Sequence, residues 1–510
     1  MTEKPSGTPA WMPKIAKESG ISLVGSVVGT ALNYAVLATV TRYLDPEQFG
    51  TFAVAQSVVA VSLIFVLCGT PGALDRFIPY YNARNEGGKV RGLLAGTLRL
   101  TSWLGLAVVL ALLALSRTLS TAVFENDGLL PVLRMMAFSV PALAWIDLVA
   151  SSFAGFKELR YRVYTHQLAL PLLKIAFALP ILALGFGLLG WVWAYLASLL
   201  AGSLLAWAFF RRHIWASLRR TPPSAVDFKG VVSYSWPLSI NQLVLMLSGH
   251  VGVLLLGAFR SETDVGAFRV FIYVVLIMTL VKMSFGRIYK PIVTESLSTG
   301  DKKGVLEIHQ RVSKWMLIAA SFTGLTILFL REDILVLLVP SGYVAATSAL
   351  LVLAASGTIV GSLGPQGMTL QALGNTKFSM VNALLMLSIN IGLGFLLIPG
   401  YGALGAAIAL AIATLAASLA ELLEVYALHR IHPFSATYFR GVAVVLCGGA
   451  IMYALTSVWE TAGFPRAATL TLLLASFFAL GLRFSGALDA EDYAVLKHAW
   501  ARLTAGRRRG

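Results

Sequence analysis

The chain has 510 residues, of which 57% are hydrophobic and only 13% are charged, and its mean hydropathy is +0.78. A soluble domain is nearer half apolar and a quarter charged, so this composition excludes a water-soluble globular protein. Lys and Arg number 40 against 24 Asp and Glu. In a soluble protein that excess indicates nucleic-acid binding, whereas in a membrane protein it records which side of the bilayer each loop occupies.

Apolar runs long enough to cross a bilayer recur along nearly the whole chain. A spanning helix needs roughly 20 apolar residues. Reading such runs against polar breaks such as "DPEQ", "PSGY" and "PGYG" predicts an all-α, polytopic membrane protein with fourteen spans, and twelve is the alternative count. The predicted spans are residues 18–43, 47–72, 91–115, 131–155, 165–184, 188–210, 230–257, 265–287, 308–330, 344–373, 378–398, 402–426, 437–458 and 464–484.

The distribution of basic residues bears on this count. With the N-terminus placed inside, most Lys and Arg fall on the two tails and the even-numbered loops, and few fall on the odd-numbered loops. Losing one helix would reverse the alternation for every later loop. The asymmetry therefore predicts an even number of spans and two cytoplasmic termini, and it explains the net charge without nucleic acid. The two cysteines, Cys68 and Cys447, lie in apolar runs and indicate neither a disulfide framework nor a metal site.

The chain also repeats itself. "FGTF" at residues 49–52 recurs as "VGAF" at residues 265–268, and later Gly, Pro and Trp positions recur at offsets between 212 and 219. Helices one to six are therefore expected to pair with helices seven to twelve. Because six is even, both halves enter the membrane in the same sense, which predicts two pseudo-symmetric lobes around a central cavity. That layout is typical of an alternating-access transporter.

Six segments follow from the spans and the repeat. They are a cytoplasmic N-tail (1–17), an N-terminal lobe (18–210), a cytoplasmic linker (211–229), a C-terminal lobe (230–428), two extra helices (437–484) and a cytoplasmic basic tail (485–510). The basic linker is either a solvated connection or a contact for anionic headgroups. In the tail, Tyr493, Leu496, Trp500 and Leu503 have helical spacing, which fits an interfacial amphipathic helix or a disordered segment.

Several strings resemble a known family. "RYLDPEQFGTFAVAQSVV" and "LDRFIPYYNARNEGGK" resemble the opening helices of bacterial polysaccharide flippases, and "GPQGMTLQALGNTKFSMVNALLMLSINIGLGF" resembles their C-terminal half. These flippases belong to the multidrug/oligosaccharidyl-lipid/polysaccharide (MOP) exporter superfamily. The resemblance implies a MATE-like fold of two lobes, here with two extra helices, in the bacterial cytoplasmic membrane. It also implies an oligosaccharide on a polyprenyl diphosphate as the substrate. No cofactor is expected, membrane lipids are expected partners and polysaccharide-assembly proteins are candidate partners, and the sequence leaves the oligomeric state open, with a monomer favoured.

Basic residues at membrane depth are candidates for holding a diphosphate, because each one costs on the order of 2.5–3.5 kcal/mol to insert. Lys282 lies deepest in the eighth predicted span and is expected to line the cavity. Arg269, nearer the outer end of the same span, either lines the cavity or extends to the headgroups. Arg76, at the inner end of the second span, either captures the diphosphate or anchors to lipid phosphate.

Polar residues at membrane depth form a second set of candidates. Gln242 and His250 lie on one stripe of the seventh span, and His250 has the chemistry to couple transport to protons. The alternative is a histidine that is simply hydrogen-bonded inside the helix bundle. Asn33, Gln56 and Asn241 likewise either line the cavity or join neighbouring helices.

Asp147 and Lys174 lie in adjacent antiparallel spans, each roughly nine residues, or about 13–14 Å, from the connecting loop "KELRYRVY". Their matching depth predicts an ion pair within the N-terminal lobe. That pair either neutralises two buried charges or forms a coupling-ion site, and Arg99 is a candidate third member.

Three functions compete at this stage. The first is a flippase for a polyprenyl-diphosphate-linked oligosaccharide, coupled to an ion gradient or the membrane potential. The second is a small-molecule or drug exporter of the same superfamily, although the buried charges are mostly basic. The third is a membrane glycan polymerase or glycosyltransferase, which is disfavoured because no phosphate loop, metal-ligand spacing or catalytic His/Asp set is evident and the outer loops are short.

Overall fold

The structure is a computed structural model that describes residues 12–218, 221–298, 300–343, 347–459, 462–489 and 492. Side chains are described throughout these ranges except at residues 12–23, 228–229, 232–242, 245, 287–288, 291, 298 and 376. All the regular secondary structure in the described ranges is helical, which confirms the predicted all-α class.

The first part of the chain forms eleven α-helices. They are α1 (Met12–Tyr43), α2 (Pro46–Leu67), α3 (Thr70–Ala83), α4 (Gly87–Thr118), α5 (Leu129–Ala137), α6 (Ser139–Gly155), α7 (Leu159–Arg162), α8 (Leu170–Ala183), α9 (Gly187–Phe210), α10 (Ala216–Leu218) and α11 (Phe228–Phe259). Three short π-helices extend or join them: Leu119–Val123, Val163–Ala169 and Arg211–Trp215.

The second part forms eight more. They are α12 (Glu262–Ser298), α13 (Lys302–Phe329), α14 (Arg331–Leu338), α15 (Thr347–Ser362), α16 (Gln366–Ala372), α17 (Thr376–His429), α18 (Ala436–Val458) and α19 (Phe464–Phe484), with a 3₁₀ turn at Ser341–Tyr343.

Local chemistry explains several helix boundaries. The break "DPEQ" works because the Asp45 carboxylate accepts a hydrogen bond from the Gln48 backbone N–H, 2.8 Å away, while Pro46 occupies the first helical position. Ser435 caps α18 in the same way by accepting from the backbone N–H of Tyr438. Helix α17 is interrupted at Gly402, whose φ of 54° and ψ of −132° are not helical.

Within the described residues, ten helical segments are long and apolar enough to cross a membrane, and up to twelve if two bent pairs, α5 with α6 and α15 with α16, each form one span. The predicted count of fourteen is therefore not confirmed. The predicted span 230–257 lies in α11, whose described side chains include one continuous apolar helix, Met246–Phe259, because most earlier side chains of α11 lie outside the described set. The predicted spans 378–398 and 402–426 lie together in α17.

The chain divides into two compact units. Unit 1 comprises Met1–Val270, Leu338–Ala345 and Asn390–Ala406. One part of its core joins α3, α4, α6 and α9, and the fully buried members include Ile78, Leu93 and Phe153. The predicted linker 211–229 lies inside this unit, so the two units do not coincide with the predicted lobes, and those lobe boundaries stay predictions.

Unit 2 comprises Phe271–Leu337, Ala346–Ile389 and Ala407–Gly510. A core of α13, α18 and α19 includes the buried Met452, Leu474 and Phe478, so the two extra helices pack against α13. The predicted amphipathic segment with Tyr493 and Trp500 lies outside the described residues.

Two buried ion pairs fix the extra helices and the start of the tail in unit 2. The Arg466 Nη2 at the start of α19 lies 3.0 Å from Asp333 Oδ2 of α14. Lys314, only 1% exposed on α13, donates to the Asp492 carboxylate, and its Nζ lies 3.5 Å from Asp489 Oδ2. Removing one partner of such a pair is costly because the other charge stays buried.

Candidate functional site

A cluster of four polar side chains lies inside unit 1 where α2, α11 and α12 meet, and we call it the histidine cluster: Gln56, Ser57, His250 and Arg269. The His250 Nδ1 lies 2.9 Å from Ser57 Oγ. The Ser57 hydroxyl donates its one proton to the Ala53 carbonyl at 2.8 Å, so Nδ1 of His250 is the donor toward Ser57. Arg269 Nη2 donates to Gln56 Oε1 at 3.1 Å.

The histidine cluster lies at membrane depth. At about 1.5 Å per residue, Ser57 is about 16 Å from the start of α2, His250 about 13 Å from the end of α11, and Arg269 about 10 Å from the start of α12. These helix ends lie on the same predicted side of a hydrocarbon core about 30 Å thick. Arg269 therefore contacts a neighbouring helix well inside the bilayer, where charged groups are rare and tend to be functional.

Helix ends on the predicted outer side of unit 1 are joined by polar contacts. Asn126 Nδ2 donates to Glu262 Oε1 at 2.7 Å and to Thr51 Oγ1 at 3.3 Å, connecting the starts of α2 and α12. Tyr343 Oη donates to the Leu44 carbonyl at 2.8 Å. Burial, and then the negative charge of Asp45, raise the pKa of the Tyr343 hydroxyl, so it remains a donor.

A cavity of about 480 Å³ in unit 1 is lined by four ionisable side chains, and we call it the four-charge cavity. Its walls carry Asp75 of α3, Asp147 of α6, Arg162 of α7 and His166 of the following π-helix. His166 Nε2 lies 3.5 Å from Asp147 Oδ1. Arg162 acts electrostatically on Asp75. Two acids thus face two bases around a space large enough for water or an ion.

Irregular backbone shapes the four-charge cavity. Helix α2 ends in the left-handed conformation at Cys68, with a φ of 41°, and Gly69 follows with a φ of 71°. This break turns the chain into α3 and places Asp75 on the cavity wall. On the facing side, the π-helix Val163–Ala169 follows Arg162 and carries His166. Such π-helical turns are rare and frequently occur at functional sites.

The predicted ion pair between Asp147 and Lys174 does not form. Asp147 pairs with His166, and Lys174 Nζ lies 5.0 Å from the ring centroid of Tyr195 on α9, a cation–π contact. Arg99, the proposed third member, is exposed on α4 and pairs with neither of them. The correction has a physical cause: the π-helix adds a residue per turn and rotates the start of α8 relative to a regular helix.

In unit 2, Lys282 interacts electrostatically with one carboxylate. It is half-buried on α12 and acts electrostatically on Glu421 of α17, whose carboxylate also accepts from the backbone N–H of Gly367. One helical turn further on, Glu424 Oε2 accepts a 2.6 Å hydrogen bond from Asn382 Nδ2. Lys282 is therefore one member of a mixed-charge group within the membrane-spanning part of unit 2.

The remaining predicted residues are spread over unit 1. Asn33 Nδ2 donates to the Gly29 carbonyl of its own helix at 2.8 Å, so that hydrogen bond joins no neighbouring helix. Arg76 is exposed on α3, with its guanidinium carbon 5.7 Å from the centroid of the Phe77 ring. The side chains of Asn241 and Gln242 lie outside the described set, so their cavity-lining role stays a prediction.

Asp75, Arg162 and His166 were not among the site residues predicted from the sequence. Asp75 lies in the quoted string "LDRFIPYYNARNEGGK", directly before Arg76. Arg162 lies in the loop "KELRYRVY" and His166 lies just after it, and the basic composition of that loop predicts a solvated segment. The available signal was the spacing of Arg162 and His166, four residues apart at the start of a predicted span. That spacing could not show which carboxylate His166 contacts.

A second buried polar group was also missed, in unit 2. Tyr289 Oη lies 2.8 Å from His309 Nδ1 and 2.7 Å from Thr369 Oγ1, which joins α12, α13 and α16. Burial raises the pKa of the Tyr289 hydroxyl, and the hydrogen bond to Thr369 opposes that rise. The group fits a structural role because all three side chains are fully or almost fully buried.

Comparison with known proteins places this geometry among transporters. Residues 15–296, more than half of the chain, match the family described as polysaccharide biosynthesis protein, and residues 237–396 match the MatE family. The probable low-salt glycan biosynthesis flippase Agl15 of Haloferax volcanii is 23% identical over 408 residues, which cover 78% of this chain and 80% of that protein.

Two solved structures share the fold. The lipid II flippase MurJ in an inward closed conformation superposes with a TM-score of 0.70 at 14% identity, covering 92% of this chain and 98% of MurJ. An inward-facing multidrug resistance MATE family transporter of the MOP superfamily superposes with a TM-score of 0.63 at 17% identity. The match covers 79% of this chain and 95% of the transporter. These relatives are transporters and flippases, not enzymes.

Proposed function

Because the chain belongs to the polysaccharide biosynthesis protein family of the MOP exporter superfamily, we propose that it flips a polyprenyl-diphosphate-linked oligosaccharide. The lipid moves from the cytoplasmic to the outer leaflet by alternating access, in a bacterial cytoplasmic membrane with both termini inside. The observation that carries the proposal is the similarity to a glycan biosynthesis flippase along four fifths of that protein's length.

The substrate requires cations at membrane depth, and two residues supply them. A guanidinium matches the oxygens of a diphosphate in a bidentate geometry, which favours Arg269 of the histidine cluster as a diphosphate ligand. Lys282, 13 residues further along α12 and within unit 2, is proposed as a separate substrate contact, with Glu421 offsetting its charge when no substrate is bound. Gln56 and Ser57 beside Arg269 supply neutral hydrogen-bonding groups suited to phosphate or sugar hydroxyls.

Coupling to a proton gradient is assigned in this proposal to the four-charge cavity. The His166–Asp147 pair changes charge when it binds a proton, and an imidazole beside a carboxylate is a chemically suitable proton acceptor. Asp75 and Arg162 line the same cavity, so protonation of the pair changes the electrostatic interactions among all four side chains. A change in those interactions shifts the relative free energies of two conformations, and coupling requires such a shift.

The polar contacts at the predicted outer end fit the proposed cycle. Asn126 and Tyr343 hold the ends of α2, α12 and the 338–345 segment together. Since these contacts close that end in unit 1, substrate is expected to enter from the opposite, cytoplasmic side. Release to the outer leaflet then requires these hydrogen bonds to break.

A reconstituted system tests the proposal. Proteoliposomes containing a polyprenyl-diphosphate oligosaccharide are assayed for the transfer of sugar to a leaflet where a lectin or glycosidase reaches it. The expected result is transfer that is lost in Lys282→Ala and Arg269→Ala but retained in Arg483→Ala, since Arg483 is an exposed residue at the end of α19. Unchanged sidedness with every such lipid would reject the proposal.

One observation favours a second candidate, a small-molecule exporter. Residues 237–396 match the MatE family and the fold is shared with a multidrug resistance transporter. The same proteoliposomes distinguish the two, because an exporter would move cationic dyes and leave the lipid-linked sugar in place.

A further inference from the structure

A cationic groove lies at the end of α9, away from the histidine cluster and the four-charge cavity. It has a volume of about 410 Å³ and is lined by Trp207, Ala208, Arg211, Arg212, Trp215 and Ala216. Both arginine side chains are exposed, and within the described part of the chain neither forms an ion pair with a carboxylate. The groove therefore presents two positive charges without a protein anion to balance them.

Aromatic contacts hold the walls of this groove in place. The Trp207 ring packs on Phe210 with a centroid distance of 5.4 Å and against Trp145, also at 5.4 Å. Trp215 lies 6.2 Å from Phe210 and 5.5 Å from the guanidinium carbon of Arg91. Tryptophan is enriched where a membrane helix passes through the headgroup layer, so both walls are suited to that depth.

An exposed apolar stripe runs from the groove down α9. Leu200, Leu204 and Ala208 precede Arg212 at intervals of four residues, and each leucine is 61% exposed. Each step of four residues turns the position around a helix by about 40°, so the stripe spirals along α9. Its near end adjoins the groove, because Ala208 also lines the groove. From Arg212 to Leu200 it extends about 18 Å, comparable to one leaflet's half of a hydrocarbon core about 30 Å thick.

We propose that this surface is a binding site for one anionic phospholipid of the surrounding leaflet, with the headgroup phosphate between Arg211 and Arg212 and an acyl chain along Leu204 and Leu200. The guanidinium fork fits phosphate oxygens, and the tryptophans fit the glycerol and carbonyl region. A free phosphate would use only the arginines, whereas the adjoining apolar stripe has the length and position of a lipid chain. The site is independent of the transported substrate.

The site has a structural context that connects it to the rest of unit 1. Arg91, which contacts Trp215, also donates through Nη1 to the Thr221 carbonyl at 2.6 Å, and Ser224 N–H donates to the Gly88 carbonyl at 3.0 Å. Arg91 therefore connects the Trp215 wall of the site to Thr221.

Native mass spectrometry of the full chain in a neutral detergent tests the proposal. The protein is offered dioleoylphosphatidylglycerol, or dioleoylphosphatidylcholine with the same chains. We expect retention of the glycerol lipid over the choline lipid and a loss of affinity of about 30-fold in Arg211→Gln/Arg212→Gln, the effect of two interfacial cations. Arg430→Gln/Arg483→Gln, which removes two exposed arginines at other helix ends, is expected to bind normally.

Further arms separate the alternatives. Arg211→Lys/Arg212→Lys keeps both charges and should retain most of the binding, which shows that positive charge at these positions is what the lipid requires. The glutamine variant should unfold at the wild-type temperature, which excludes misfolding as the cause of its loss. Leu204→Ser should weaken lipid binding, and inorganic pyrophosphate should not displace the lipid. Equal retention of the two lipids, equal loss in the Arg430/Arg483 control, or displacement by pyrophosphate would each overturn the assignment.

Discussion

Gly50 of α2 and Gly266 of α12 occupy the same position in the two repeated motifs and pack against each other's helices. A Cβ atom on Gly50 would lie 1.9 Å from the Glu262 carbonyl oxygen, and one on Gly266 would lie 2.1 Å from the Pro46 carbonyl oxygen. The contact is reciprocal within unit 1, because each glycine lies against the backbone at the start of the other helix. The repeat "FGTF" and "VGAF" therefore places two backbones in direct contact at the predicted outer end.

Gly266→Ala should destabilise the protein by about 1–3 kcal/mol, because the obstructing atom belongs to backbone that cannot rotate away. The matched control is Gly249→Ala in α11, where an added Cβ meets nothing within 4 Å. Thermal unfolding in detergent measures both. Equal melting temperatures for the two variants would contradict the close approach.

Lys314→Ala should lower stability by about 3–5 kcal/mol, because it leaves the fully buried Asp492 carboxylate without its cation. Lys89→Ala provides the comparison: its Nζ lies 3.0 Å from Glu86 Oε1, but that pair is partly exposed and should contribute less than about 1 kcal/mol. Lys314→Met with Asp492→Asn should recover part of the loss. A Lys314→Ala protein as stable as Lys89→Ala would refute the buried pair.

Acid should release the start of the C-terminal tail through Asp489. Burial by itself raises the pKa of the Asp489 carboxyl, but the hydrogen bond from the Asp492 backbone N–H and the charge of Lys314 lower that pKa overall. A lowered folded-state pKa contributes stability above the ordinary value of 3.8, and this contribution is lost as the pH falls through the lowered pKa.

The measurement is protease cleavage of the tail against pH. The wild type should become more susceptible below about pH 4, near the ordinary pKa of an aspartate. Asp489→Asn should show a much smaller step, while Asp301→Asn, at the start of α13, should keep it. Identical pH profiles for the wild type and Asp489→Asn would count against this role.

Asp147→Asn and His166→Gln should each abolish the response of flipping to a proton gradient, since each removes one member of the pair in the four-charge cavity. In proteoliposomes, the rate with the outer side acidic is compared with the rate at equal pH. The two rates should differ for the wild type and coincide for both variants. Asp127→Asn, an exposed loop carboxylate, should respond like the wild type. A full gradient response in Asp147→Asn would place the coupling group elsewhere.

Much of the fold follows from the sequence by itself. The predicted spans 437–458 and 464–484 correspond to α18 and α19 almost residue for residue. An apolar run of about 20 residues has no stable alternative in lipid, because every backbone N–H and C=O must be satisfied within the segment. The positions of the polar breaks also follow from the sequence, because Asp45 and Pro46 set the start of α2 by local chemistry alone.

The sequence did not predict which side chains contact each other. Asp147 and Lys174 have matching depth, but depth fixes only the position along a helix and leaves the direction around it open. The π-helix Val163–Ala169 rotated that direction, so His166 meets Asp147 and Lys174 meets Tyr195. No local pattern in the sequence predicted this π-helix.

Hydropathy thus determined the class and the approximate positions of the helices, because the bilayer imposes those features on each segment separately, and particular strings such as "RYLDPEQFGTFAVAQSVV" carried the family resemblance. Only the tertiary structure decided that His250 contacts Ser57, that Lys314 contacts Asp492, and that Asp75, Arg162 and His166 share a cavity. Those contacts join residues up to 193 positions apart, and they depend on helix rotation and packing, which every part of the bundle sets jointly.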